Sequence, residues 1–206
     1  MFINCSTNSS IPLIDPLTID IKTLQADLSS CRYSSVDLVR WYLDRIGMLN
    51  DRGAHPLHAI IETNPDAFEI AKALDFERLV NGSRSILHGI PILIKDSIAT
   101  DDKMQTTAGS YALVGARVPR DAFIVEKLRA AGAIILGKTS MSQWANVMSE
   151  NVTRHGWSPR GGASRLKSSI IRFVFNRILI SLVQRMLPME IHREVAAVQQ
   201  LQRVLA

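Results

Sequence analysis

The sequence of 206 residues has few cysteines, few aromatic residues and no long apolar run. Its two cysteines, Cys5 and Cys31, form no C-x-x-C pair and have no neighbouring histidine, which argues against a disulfide scaffold and a zinc site. No run approaches the ~18 uninterrupted apolar residues of a membrane span. The N-terminus lacks the basic and then apolar regions of a secretory signal. We therefore expect a cytoplasmic protein with reduced thiols, no metal and no cofactor.

Glycine is absent from the whole C-terminal part of the chain, because all 11 glycines lie at or before Gly162. The net charge of the chain also changes after Gly162. Residues 1–162 carry as many basic as acidic residues, whereas residues 163–206 carry seven Lys or Arg and two Glu, and so hold the entire net charge of +5. The composition predicts two parts, a domain over residues 1–162 and a basic tail over residues 163–206.

Residues 1–162 contain alternating helical and strand-like segments. Three segments have helical periodicity with a capping residue at the start and glycine at the end; they run from Ser34 or Ser35 to Gly47, from Asn64 to Gly82, and from Asp121 to Gly132. The apolar runs Ile90–Ile94 and Ala133–Leu136 are typical of strands buried on both faces. We therefore expect an α/β fold, with a mixed, mostly parallel sheet covered by helices and these two strands as parallel neighbours.

The tail has a different pattern. Between residues 168 and 185, polar residues recur every three or four positions among a majority of apolar ones, which predicts a helix with one narrow polar stripe, ended by Pro188. Such a helix, over residues 168–187, fits contact with a membrane surface, another protein or a second copy. Its aromatic residues, Phe173 and Phe175, lie on the apolar face, which argues against nucleic-acid binding by stacking. The interpretation we favour is a non-native extension, from a retained intron, altered splicing or a frameshift.

Lys95 ends an apolar run and is followed directly by Asp96. Burying an ammonium group costs several kcal/mol unless the group is paired or loses its proton. One interpretation is a strand-end lysine that extends into water or pairs with Asp96 or Asp101. The other is a lysine that desolvation keeps neutral, so that it can accept a proton. The small-residue turn Thr106–Ser110 follows and could approach Lys95 closely.

Three segments in order carry a more specific signal: LHGIPILIKDSIATDDKMQTTAGS over residues 87–110, GARVPRDAFIVEKLRAAGAIILGKTSMSQWAN over residues 115–146, and GWSPRGG over residues 156–162. Together they resemble the amidase signature family, especially its fungal and plant members, which are related to the A subunit of glutamyl-tRNA(Gln) amidotransferase. The resemblance covers roughly residues 17–162. It implies hydrolysis of the C–N bond of a small-molecule amide by a triad of nucleophilic serine, cis-serine and lysine, in which Lys95 matches the lysine.

The family pattern ends after Gly162. A glycine- and serine-rich segment should follow with the cis-serine, and the nucleophile should come later. Here Gly162 is followed by Ala163-Ser164-Arg165 and no further glycine. Ser168 and Ser169 lie near the expected distance from Lys95, but without glycine the backbone cannot form the close-approaching turn of an oxyanion site. We therefore expect an incomplete amidase-family domain that keeps the lysine, lacks both serines and is inactive alone.

Two other hypotheses remain open. In one, an amidase-like half-domain is the scaffold of a non-catalytic interaction protein. In the other, an active amidase takes its serines from the tail or from the set Ser140, Ser142, Ser149 and Ser158. The histidines do not suggest a further site, because His55, His58, His88, His155 and His192 show no metal-ligand spacing. Gly161-Gly162 lacks the lysine and serine that complete a phosphate-binding loop.

Overall fold

The structure is a computed structural model that describes residues 19–52, 56–146 and 156–163. Helices and strands alternate in this part of the chain, in the order α1 (Ile21–Ser29), α2 (Ser35–Ile46), β1 (Ile60–Thr63), α3 (Ala67–Asn81), β2 (Pro91–Lys95), α4 (Phe123–Ala130), β3 (Ile134–Thr139), β4 (Trp157–Ser158) and β5 (Gly162–Ala163). The predicted α/β class is therefore confirmed. The predicted tail helix, residues 168–187, lies outside the described residues.

Strand β3 is the centre of a three-stranded sheet of order β1-β3-β2. β2 runs parallel to β3, with Pro91 opposite Ile134 and Lys95 opposite Thr139, so the predicted parallel pair is confirmed. β1 runs antiparallel to β3, which makes the sheet mixed. Every residue of β3 is buried, as expected of a strand covered on both faces. The strand extends three residues beyond the predicted Leu136, because Gly137, Lys138 and Thr139 continue the pairing with β2.

Helices α2 and α3 pack on one face of this sheet. Their buried apolar residues form a single core with two residues of β3; the cluster is Val39, Ala67, Ala71, Leu74, Ile134 and Leu136. Helix α2 begins at its predicted cap, since Ser34 and Asp37 form a reciprocal capping box. The predicted stop at Gly47 is wrong, because Gly47 itself has right-handed helical dihedrals, φ −57° and ψ −38°, and the chain continues as a π-helical segment over Gly47–Asp51.

Two predicted caps are wrong. Helix α3 begins at Ala67, so its N-cap is Asp66 and not Asn64. The Asn64 side chain instead accepts a hydrogen bond from the amide of Asp66 and donates one to the carbonyl of Ile135, which fixes the approach to the helix against β3. Helix α4 has Ala122 as its N-cap. The side chain of the predicted cap, Asp121, binds Asp101 and Arg129 instead.

Asp121 accepts a hydrogen bond from the amide of Asp101 at 2.6 Å and pairs with Nε of Arg129 at 2.9 Å. These longer-range contacts replaced the local cap.

Cys31 also differs from expectation, since it is disulfide-bonded where the sequence predicted free thiols. Backbone contacts divide the chain into the units Met1–Leu166 and Lys167–Ala206, and every described residue belongs to the first.

Candidate active site around Lys95

Lys95 is the last residue of β2, opposite Thr139 of β3. Its side chain is exposed, whereas Ile92 and Ile94 of the same strand are buried. Within residues 19–52, 56–146 and 156–163, no hydrogen bond or ion pair involves the Lys95 ammonium group. The strand therefore delivers an accessible and unpaired amine at the carboxyl end of the sheet. This excludes the interpretation in which Lys95 pairs with Asp96 or Asp101.

The protonation of Lys95 is shifted in the direction that suits a base. The surrounding protein partly desolvates the ammonium group, and this desolvation lowers the pKa of Lys95 below its ordinary value of 10.5. A charged form that loses hydration is disfavoured relative to the neutral amine, and here no carboxylate compensates for the loss. The neutral amine has a free lone pair and can accept a proton.

Asp96, the next residue, points into a buried polar network. Its side chain has no exposed surface and accepts hydrogen bonds from the Thr107 hydroxyl and from the amide of Gly109, the latter at 2.8 Å. Nη1 of Arg160 lies 3.3 Å from Oδ1 of Asp96. Nη2 of Arg160 pairs with Glu62 of β1. Arg160 thus connects β1 to the residue that follows β2 through one guanidinium group.

Thr106–Ser110 forms the turn that the sequence placed near Lys95. The structure anchors it to Asp96, because the amide of Ala108 donates to the Asp96 carbonyl at 3.2 Å and the amide of Gly109 donates to its carboxylate. Ala108 and Gly109 both have positive φ, at 48° and 74°, so two successive N–H groups can turn toward one residue. The turn is therefore held against the residue that follows Lys95.

Lys138 is a second lysine of this region and is fully buried in β3. Its ammonium group donates to the Ile98 carbonyl and to the Thr106 hydroxyl, the latter at 3.0 Å. Desolvation lowers the pKa of Lys138 to about 8, although Asp96 and two other carboxylates favour the charged form. Lys138 therefore connects β3 to the segment between β2 and the turn.

The protonation of Lys138 predicts a pH dependence of stability. Its pKa in the folded chain, about 8, lies below its ordinary value of 10.5. Between these values the unfolded chain holds more protons, so the free energy of unfolding should rise with pH. Chemical denaturation at several pH values should show this rise in the native chain and a flatter profile in Lys138→Met. An equal rise in the two proteins would show that other groups cause it.

The candidate serines of the active-amidase hypothesis are brought together only in part. Ser140 and Ser158 are buried, and a Cβ on Gly161 would lie 2.6 Å from Oγ of Ser140 and 3.0 Å from Oγ of Ser158. Oγ of Ser158 accepts a hydrogen bond from the amide of Gly161, and Oγ of Ser142 accepts one from the amide of Gly156. These two hydroxyls therefore satisfy backbone groups of the segment that contains Arg160, and neither hydrogen-bonds Lys95.

The Ser140 hydroxyl has no hydrogen-bond partner among the described residues. Ser140 directly follows Thr139, the residue opposite Lys95 in the sheet. Because side chains alternate along extended backbone, Ser140 and Lys95 are directed to opposite faces of the sheet. Ser149, Ser168 and Ser169 lie outside the described residues. In the part of the chain that the structure describes, no serine is hydrogen-bonded to the lysine.

The histidines that can be located do not form a site. His88 has no exposed surface, and its Nε2 lies 2.9 Å from the Leu74 carbonyl, so this ring packs α3 against the segment before β2. His58 lies in the segment before β1 and has a positive φ of 49°. Across the described ranges, no three His, Cys, Asp or Glu side chains converge where a metal ion could bind. None of the described helices has the length and apolar character needed to cross a bilayer.

Sequence reasoning missed the network of Glu62, Asp96, Lys138 and Arg160. Each of the first three interrupts or ends an apolar strand segment, and a charge in such a position needs a partner. That signal could have identified these three residues as groups in need of a partner. It could not have identified Arg160 as the shared partner of Glu62 and Asp96, since Arg160 is 98 residues from Glu62 along the chain.

A model of the Amidase family matches residues 37–159 of the chain. Among curated proteins, a probable amidase of Arabidopsis thaliana is 48% identical over 143 residues, which make up 68% of this chain and 27% of that protein. A putative amidase of Schizosaccharomyces pombe is 45% identical over 152 residues, with coverage of 74% of this chain and 25% of that protein.

Solved structures agree with the sequence match. The native peptide amidase of Stenotrophomonas maltophilia superposes with a TM-score of 0.68 at 45% identity, over 76% of this chain and 31% of that chain. This chain therefore spans about a quarter to a third of the length of the relatives it matches. The matched segment includes Lys95, the turn Thr106–Ser110 and strands β1 to β3. The chain belongs to the amidase family.

Proposed function

We propose that Lys95 is the proton-accepting base of an amide-hydrolysing site, and that this chain alone does not complete the site. The observation that carries the proposal is the accessible, unpaired amine at the carboxyl end of β2, whose pKa is lowered by desolvation. A general base is efficient when its pKa lies near the working pH. A lysine whose charge was fixed by an ion pair could not act in this way.

The reaction implied by the family resemblance assigns a specific task to this amine. Nζ of Lys95 would take the proton of a cis-serine hydroxyl, which would in turn take the proton of a nucleophilic serine as that serine attacks the amide carbonyl. Both serines belong to a segment that does not match this sequence after Gly162. Members of such a triad act as a unit, so one member alone contributes almost nothing to the rate.

We also propose that the amidase-family part ends near Gly162 and that residues 163–206 form a separate segment. The family match ends at residue 159. Three residues later, after Gly162, glycine disappears and the net positive charge begins. Substrate-contacting residues of the family are expected beyond the matched part.

The first expected result is that the intact chain does not hydrolyse simple aliphatic amides, aryl amides or peptide amides above the buffer rate. Amide cleavage requires a nucleophile, and no serine in the described part is hydrogen-bonded to Lys95. Product release should be followed by chromatography. Turnover that disappears in Lys95→Ala would instead favour the hypothesis of an active amidase using serines of this chain.

A chimera tests the role of Lys95 directly. Residues 1–162 would replace the matching part of the Stenotrophomonas maltophilia peptide amidase, which is 45% identical. We expect the chimera to hydrolyse a peptide amide and to lose that activity in Lys95→Ala. The matched control is Lys72→Ala, because Lys72 is exposed on α3 and pairs with Glu69 at 2.7 Å. A folded Lys95→Ala chimera that keeps full activity would contradict the proposal.

A further inference from the structure

We propose that Lys95 is also a nucleophile, and that its amine accepts an acyl group from activated acyl donors such as acyl thioesters and aryl esters. The product would be a stable Nε-acyl-lysine at the carboxyl end of β2. This modification site concerns the same side chain as the proposed function, but it needs no serine and no second polypeptide. It can therefore exist in the chain as it is.

The environment of Lys95 differs from that of every other lysine that the structure describes. Lys72 and Lys103 are bound to Glu69 and Asp66, at 2.7 and 2.6 Å. Lys127 lies over the ring of Phe123, with Nζ 5.1 Å from the centroid. The charge of Lys22 interacts electrostatically with that of Asp20. Lys138 is fully buried and hydrogen-bonded. Lys22 and Lys127 are exposed as well and form no hydrogen bond or ion pair among the described residues, so they are the direct comparison for Lys95. Lys95 differs from them in its place at the end of a largely buried strand, where the surrounding protein partly desolvates its amine.

Position in the fold also favours reaction at Lys95. The residue ends a strand, so its side chain leaves the sheet where the loops of an α/β fold form clefts. The adjacent carboxylate of Asp96 is directed into the Arg160 network and does not hold the amine. An acyl donor can therefore approach Nζ without first displacing an ion pair.

The chemistry needs only the neutral amine and the donor. The lone pair of Nζ attacks the acyl carbonyl carbon, a C–N bond forms, and the bond from that carbon to sulfur or oxygen breaks. The leaving thiolate or phenolate takes the electron pair, and the proton released from nitrogen goes to the leaving group or to water. Desolvation alone lowers the pKa of Lys95, and no charged group in the described residues contributes. A larger fraction of the amine is thus neutral than for an ordinary lysine.

Competitive labelling tests this inference on the intact chain. The folded protein is treated with a substoichiometric amount of p-nitrophenyl acetate, and in parallel with the acetyl thioester of a small thiol, at about pH 7.5, well below the ordinary lysine pKa of about 10.4. Peptide mapping by mass spectrometry then gives the acetylation rate of each lysine. We expect Lys95 to react several times faster than Lys22, Lys72, Lys103 and Lys127, and this preference to vanish in denaturant, where all lysines are solvated.

Two variants complete the test. Lys95→Arg should remove the fast phase of p-nitrophenolate release, whereas Lys72→Arg should leave it unchanged. Equal acetylation of Lys95 and the other exposed lysines in the folded chain would overturn the inference. A preference that persisted in denaturant would overturn it too, since it would then come from local sequence. If the chimera is active but Lys95 is acetylated no faster than the other lysines, only this inference is overturned. If the chimera is inactive but Lys95 is acetylated faster, only the proposed function is overturned.

Discussion

Replacing Arg160 by methionine should lower the free energy of unfolding by about 3–5 kcal/mol, the cost of removing one partner of a buried ion pair. Arg160 contacts Asp96, whose side chain is 0% exposed, and Glu62, whose side chain is 22% exposed. Methionine fills a similar volume but leaves the Asp96 carboxylate without a counter-charge. Glu62 can reach water and should contribute less. Urea denaturation followed by tryptophan fluorescence measures the change.

The matched control is Arg40→Met, because Arg40 pairs with Asp37 at a similar distance, 3.3 Å, but its side chain is 55% exposed. An exposed pair contributes only about 0–1 kcal/mol. Adding Asp96→Asn to Arg160→Met should recover part of the loss, since the buried charge is then removed as well. If both arginine variants lost the same small amount, the Arg160 network would not be a buried one in solution.

Replacing Gly109 by alanine should lower the free energy of unfolding through two separate effects. Gly109 has φ of 74°, and a side chain in this left-handed region costs about 1–2 kcal/mol. A Cβ there would also lie 2.7 Å from Cβ of Ser158. That atom cannot move without its backbone, so overpacking adds about 1–3 kcal/mol. The combined effect approaches that of Arg160→Met.

Gly115→Ala separates the two effects. Gly115 also has a positive φ, of 86°, but a Cβ there would meet nothing within 4 Å. It should show the backbone cost alone. Combining Gly109→Ala with Ser158→Gly should recover the overpacking part, because the clashing Cβ is then absent. Equal losses in Gly109→Ala and Gly115→Ala, measured by the same denaturation, would show that the turn does not pack on Ser158.

Much of the fold could be predicted from local patterns. The apolar runs predicted β2 and β3, and periodicity with caps predicted α2, α3 and α4. These signals are local, because burial on two faces requires a continuous apolar run and burial on one face requires a helical repeat. The errors came where a capping side chain was used at long range, as with Asn64 bound to Ile135 and Asp121 bound to Arg129.

The sequence by itself determined the family of this protein and the strand that ends at Lys95. Only the tertiary structure decided what surrounds that lysine. Asp96 is its neighbour along the chain, but its carboxylate contacts Arg160, which is 64 residues away in sequence. Lys138 donates a hydrogen bond to the carbonyl of Ile98, in the segment after β2, from 40 residues away in sequence. Charge pairing depends on distance in space, which a linear pattern does not contain. Among the residues that the structure describes, Lys95 has no ion-pair partner, because the fold pairs its neighbouring carboxylate with another cation.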